Sequence, residues 1–137
     1  MGFERFGVVC FTTRSKVDHF VELLEEEKVA GTRCKKCGQS FFPPRADCFN
    51  CFSAEMEWFE IAGQGRLISY STLSYAPSGF EQDLPYTVAL IQFENNVKLF
   101  GRLSKDVRPE EVSIGMDLKV TPIALPNDRV SYEFRKP

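Results

Sequence analysis

Histidine is nearly missing from this chain: His19 is the only one in 137 residues. That scarcity removes the usual routes to general acid–base catalysis and to imidazole-ligated metals. His19 falls beside an apolar helical stripe, where a surface or packing role is expected. Nucleophile elbows and phosphate-binding glycine loops are missing too. No long hydrophobic run occurs. The stretch Phe6-Gly7-Val8-Val9-Cys10-Phe11 is too short for a membrane span or a signal peptide. Positive charge is not in excess either: 17 Lys and Arg stand against 19 Asp and Glu, a net charge of −2. A general nucleic-acid binder needs a basic face to displace phosphate counterions, so this balance argues against that class. There is no internal repeat or low-complexity tract. The length suits one compact domain or two very small ones with a modest core.

What the chain does have is cysteine in a pattern. Cys34-Lys35-Lys36-Cys37 and Cys48-Phe49-Asn50-Cys51 form two C-x-x-C pairs. Each pair aims two thiolates at one point, so together they supply the four soft ligands of a tetrahedral site. Four protein ligands leave no open position for water or substrate, which indicates a structural Zn²⁺ rather than a hydrolytic one. Iron suits the same ligands, so an iron-bearing redox protein is a rival reading. Nothing marks a secreted, disulfide-bonded chain, and a reduced, cytoplasmic protein is expected. The fifth cysteine, Cys10, reads as a small buried hydrophobe. Four thiolates on Zn²⁺ carry a local charge of −2, which Arg33, Lys35, Lys36 and Arg45 would offset. Gly38 follows Cys37 where a knuckle closes with positive φ. Phe52 holds that place in the second pair, so a different turn is expected there.

Thirteen phenylalanines are many for this length, and Phe3, Phe6, Phe11, Phe41, Phe42, Phe49, Phe52 and Phe59 fall early in the chain. They either build the core or face a partner.

Along the chain, residues 3–12 read as a short strand or extended arm. Val17, Phe20, Val21 and Leu24 then share one helical face, with Ser15 and Asp18 as a weak capping box and Gly31 as the expected stop. Glu22, Glu25, Glu26 and Glu27 form the opposite, solvated side. Phe41-Phe42-Pro43-Pro44-Arg45 fits neither helix nor central strand and reads as a stiff extended loop. From Gly63 the texture is all-β. Strands are expected over 65–75, 85–93, 97–103, 116–125 and 129–135, with a helical turn at Pro109 before the fourth. Five strands in that order suggest a Greek-key barrel of the OB type. The expected division is an N-terminal arm and helix (1–31), a zinc ribbon (32–60) and an OB-fold (61–137), mainly β overall.

Arg33-Cys34-x-x-Cys37-Gly38, Pro43-Pro44-Arg45, Cys48-x-x-Cys51, Gly63-x-Gly65-x-Leu67-x-Ser69-Tyr70, Pro85-Tyr86-x-Val88-Ala89, Ile114-Gly115 and Tyr132-x-Phe134 follow one another in a set order. That set resembles the acyl-CoA-associated family that joins a rubredoxin-like zinc ribbon to an OB-fold. One departure is Phe49, where the second knuckle often has proline. The resemblance implies a non-catalytic accessory subunit of a thiolase-fold enzyme, helping to form or gate an acyl-CoA site. It also implies a catalytic partner chain, with two copies of each on a two-fold axis. Coenzyme A offers phosphates and an adenine, so Arg33, Lys35, Lys36, Phe42 and Arg45 are the candidates to contact it. Charge balance at the thiolates explains the same cations, and both readings stand. The remaining rival is a module that binds single-stranded nucleic acid through its OB-fold.

Overall fold

The computed structural model describes residues 2–8, 10, 14–76 and 78–137, with only the backbone of Asn95. Its described residues form two antiparallel sheets and one α-helix. The first sheet is small. It has the order β2-β1-β3, with β1 Ala30–Cys34, β2 Ser40–Phe41 and β3 Met56–Glu60. β3 has no counterpart in the sequence reading. The second sheet has the order β6-β5-β4-β7-β8: β4 Gln64–Leu73, β5 Tyr86–Gln92, β6 Lys98–Arg102, β7 Asp117–Leu125 and β8 Arg129–Arg135. Just past β6, Leu103 bridges Phe134 of β8 in parallel, and the Ser104 N–H donates to Phe134 O at 2.8 Å. That contact joins the two edge strands and closes the sheet into an OB-type barrel. A 3-10 turn at Pro109–Glu111 precedes β7, as the proline implied.

The barrel interior follows the register. Leu67, Ile91 and Leu99 lie opposite one another across β4, β5 and β6, and all three are buried. Gly65 sits where a β-carbon would come within 2.6 Å of Ile91 Cγ2 and 2.9 Å of Gln92 O, so no larger residue fits. The alternation expected along β4 breaks at a register shift between Leu67 and Ser69. Ile68 is the extra residue, and β4 is exposed from there to Thr72.

The helix α1, His19–Glu25, buries Phe20, Val21 and Leu24 against the barrel. The expected capping residues bond to each other on the turn before the helix, whose own N-cap, Asp18, makes no side-chain cap bond. The Ser15 hydroxyl accepts from the Val17 N–H at 3.2 Å, and the Asp18 carboxylate accepts from the Ser15 N–H at 2.7 Å. Gly31 does not end the helix. Glu27 does, at φ +63, with the Lys28 N–H on Leu23 O (2.8 Å) and the Glu27 N–H on Leu24 O (3.0 Å). That is a Schellman closure with glutamate in the left-handed position. Gly31 is needed elsewhere: inside β1, where a β-carbon would run into the carbonyl of Phe41.

The N-terminal arm is a 3-10 turn, Phe3–Arg5, and Phe6 bridges Val130 of β8 in parallel. Val9, Phe11 and Thr12, part of the expected strand, lie outside the described residues. Phe20 gathers the parts. Its ring lies 6.1 Å from Phe3, 5.5 Å from Phe6, 5.8 Å from Phe42 of the proline loop and 6.4 Å from Tyr132 of β8. Among the described residues no helix is long and apolar enough to cross a membrane.

Candidate metal centre and ribbon surface

Pairing of β1 with β3 sets Cys34 opposite Met56 at the mouth of the small sheet. From there the chain makes two turns of matching form. In one, the Cys34 N–H donates to Gln39 O and the Gly38 N–H to Cys34 O, both at 2.9 Å. In the other, the Cys48 N–H donates to Ser53 O and the Phe52 N–H to Cys48 O, both at 2.8 Å. Gly38 has φ +81 and Phe52 φ +62. The expected difference between the knuckles is therefore absent. The second turn takes the same left-handed backbone, with a phenylalanine bearing it.

The two turns bring the Sγ atoms of Cys34, Cys37, Cys48 and Cys51 within 4.8 Å of one another. Cys34 to Cys51 and Cys37 to Cys48 are each 3.5 Å apart. A tetrahedron of Zn–S bonds of about 2.3 Å puts the sulfurs roughly 3.8 Å apart, so the cluster fits the ion without rearrangement. The separations are far beyond a disulfide bond. Donors already favour thiolate. Cys37 is pulled down to about 6, first by the Gln39 backbone N–H and then by the Asn50 side chain. At Cys51 the Ser53 N–H pulls down, but burial and the three other sulfurs prevail and push it up to about 12. The metal-free cluster therefore does not hold four thiolates at neutral pH, and metal uptake must release protons.

Support for the site is thin. Its apolar cluster is only Cys34, Phe41 and Cys48, with Cys51 and Met56 packed alongside. Thr32, 1% exposed, ties the proline loop down: its hydroxyl accepts from the Arg45 N–H at 2.8 Å and donates to Arg45 O at 3.0 Å.

The five residues considered for coenzyme A do not form one group. Lys35 and Lys36 are exposed on the first knuckle. Arg45 lies over the rings of Phe41 and Phe49, at 5.8 and 5.5 Å. Arg33 turns to Phe59, 4.7 Å from its ring, and to Ser40. Phe42 packs inward, 5.7 Å from Tyr132. His19 is exposed, pairs with Glu22 at 3.0 Å and meets the Trp58 ring edge-on. The phenylalanines divide: Phe3, Phe6, Phe41, Phe42 and Phe59 pack inside or partly inside, while Phe49 and Phe52 are exposed.

Sequence reasoning missed a second feature, because residues from five segments make it. An apolar cleft of about 450 Å³ runs between the arm and the barrel, lined by Phe6, Phe80, Phe100, Ile123, Leu125 and Tyr132. Its two cations are engaged. Arg102 pairs with Asp83 at 2.9 Å and lies over Tyr86, and Lys105 donates to the carbonyls of Asp83 and Pro85. They hold the loop beside the cleft.

Comparison with known proteins matches residues 21–57 to the family described as the ChsH2 rubredoxin-like zinc ribbon domain, and residues 58–121 to the ChsH2 C-terminal OB-fold domain. A DUF35 domain-containing scaffold protein of Methanocaldococcus jannaschii is 38% identical over 65% of this chain and 63% of its own length. The benzoylsuccinyl-CoA thiolase subunit BbsA of Geobacter metallireducens is 32% identical over 77% of this chain and 73% of its own. Among solved structures, a chain of the Ltp2-ChsH2(DUF35) aldolase superposes with a TM-score of 0.79 at 24% identity, covering 93% of this chain and 98% of that one. At that identity the likeness speaks for the fold.

Proposed function

The chain belongs to the ChsH2-type DUF35 family, and from that premise we propose that it is the non-catalytic accessory subunit of a thiolase-fold acyl-CoA enzyme. One observation carries the reading: the chemistry-bearing side chains that converge, Cys34, Cys37, Cys48 and Cys51, form a closed four-thiolate centre. Such a centre holds structure and leaves no position for substrate. Carbon–carbon cleavage of an acyl thioester needs a nucleophile and a base. His19 is spent on Glu22 at the surface, so those groups come from the partner. The relative named as a thiolase subunit supports that class of partner.

Within the family the sequence resembles the zinc-ribbon subunit of benzylsuccinyl-CoA thiolase of anaerobic toluene degradation. The relative's name specifies benzoylsuccinyl-CoA. The benzoyl carbonyl supplies the ketone that thiolytic cleavage requires, so a β-keto acyl thioester is the substrate class we assign to the complex. In this reading the ribbon loop and its cations, Arg45 with Lys35 and Lys36, help to hold the coenzyme A part at the interface. The assembly contains two copies of each chain.

The nucleic-acid reading is weaker. On the barrel Arg102, Arg108 and Arg135 are paired with Asp83, Glu111 and Glu133, and the chain as a whole carries a net charge of −2, against the basic balance such binding calls for.

Purification of the tagged chain from its native host, with identification of whatever is bound, tests the proposal. A thiolase-fold chain in equal number is expected. A bound RNA or DNA fragment with no such chain overturns it.

A further inference from the structure

Phe52 is in the wrong conformation for its side chain and in the wrong place for its chemistry. Its φ of +62 puts its β-carbon against its own backbone, a cost that glycine avoids. The matching position of the first knuckle is glycine, Gly38, with the same hydrogen bond closing the turn. Burial does not offset the cost, because Phe52 is 86% exposed. A glycine here would take the same backbone without that strain. A strained residue that the fold does not need is held for something outside it.

Its surroundings say what. Phe49, three residues earlier on the same turn, is 61% exposed, with Phe41 edge-on at 5.2 Å and the Arg45 guanidinium over its ring. Two aromatic rings thus stand on a turn that the metal cross-links, so little ordering remains to be done when they dock. Rigid aromatic groups of this kind dominate interface energies. The other knuckle, whose Cys37 Sγ lies 3.5 Å from Cys48 Sγ, exposes Lys35 and Lys36, and among the described residues the structure gives neither an ion pair.

We propose that Phe52, with Phe49, is the anchor by which the ribbon docks on its catalytic partner. The socket is apolar and edged by negative charge that meets Lys35 and Lys36, in keeping with coenzyme A phosphates at the same interface. The inference rests on the accessory-subunit reading and adds the surface to it.

Phe52→Gly is the test, because it separates folding from docking. In the isolated, zinc-loaded full chain it should leave the unfolding midpoint unchanged or raised, since it relieves the left-handed strain. Against the thiolase-fold chain that co-purifies with the wild type, it should weaken binding by about tenfold or more. Phe49→Ala should weaken binding as well, and Lys35→Glu with Lys36→Glu should slow association and reverse its salt dependence. Unchanged affinity in Phe52→Gly overturns the docking surface and leaves the accessory role intact. A lowered unfolding midpoint shows that the ring serves the fold. If the wild type self-associates and the variant is monomeric, the occupant is a second copy of this chain. If no thiolase-fold chain binds the wild type, the functional reading falls and takes this partner with it.

Discussion

Arg45 carries two separable duties. Its backbone is held by Thr32, and its guanidinium lies over Phe41 and Phe49 beside the thiolates. Two substitutions pull these apart. Thr32→Val removes the hydroxyl that serves both Arg45 backbone groups, and denaturant titration should show a loss of about 1–3 kcal/mol. Arg45→Ala keeps the loop fastened. In the assembled complex it should raise KM for the CoA thioester by about tenfold before it loosens assembly, as expected for loss of a charge-assisted phosphate contact. Unchanged KM with a weaker complex would assign the arginine to charge balance at the metal. Both duties rest on residue types that the sequence displays, but Thr32 does not announce itself. Its importance comes from being buried opposite the loop, thirteen positions away.

The ribbon depends on its metal more than the barrel does. Its separate core of Cys34, Phe41 and Cys48 is too small to repay the ordering of its backbone, whereas the barrel owns a large continuous cluster that includes α1. Cys37→Ser should therefore lose the metal and melt the knuckles, with amide exchange of β4 to β8 kept slow. Retention of one zinc per chain in that variant would break the ligand assignment. Acidification should act in the same direction. With Cys37 near 6 and Cys51 near 12 in the metal-free cluster, protons compete with the ion, so zinc affinity should climb as pH rises from 5 to 8. Competition with a chromophoric chelator measures it. At this scale the sequence was most readable where one residue pattern decides the outcome. The strands of the barrel sit within a few residues of their expected limits, because alternation and turn residues coincide there. It was least readable where a residue acts against its type. Glu27 ends α1 in a conformation usually reserved for glycine, and Phe52 closes a knuckle the same way. Gly31 looked like a stop and is a spacer. Side-chain propensity cannot reveal a position whose backbone is set by metal or by tertiary hydrogen bonds.

Arm, helix, ribbon loop and barrel meet on one cluster of rings, and Tyr132 is the barrel's share of it. Its hydroxyl donates to Phe100 O at 2.6 Å, and burial pushes its pKa up to about 12. The neutral phenol is thus favoured in the folded chain. Its contribution is complete below pH 10 and is lost as pH rises from about 10 toward 12. Ultraviolet titration of the wild type should show one phenol that ionises only as the protein unfolds. Tyr132→Phe should remove the late step. Absence of any difference between the wild-type and Tyr132→Phe titrations above the ordinary tyrosine range, with the protein still folded, would show that the joint is open to water.

The last strand is also the last to be made. β8 closes the barrel through Phe134, receives Phe6 of the arm at Val130 and lies under α1. The arm, made before the rest of the fold, therefore waits for a strand made after every other element of the barrel. The ribbon is under no such constraint, because its four ligands lie within eighteen residues, Cys34 to Cys51. A growing chain can take up its metal while the barrel is still a set of unpaired strands, and the knuckles can be rigid before the rest of the molecule has a shape. Zinc supply and synthesis of the final strand thus act on different moments in the life of the same chain.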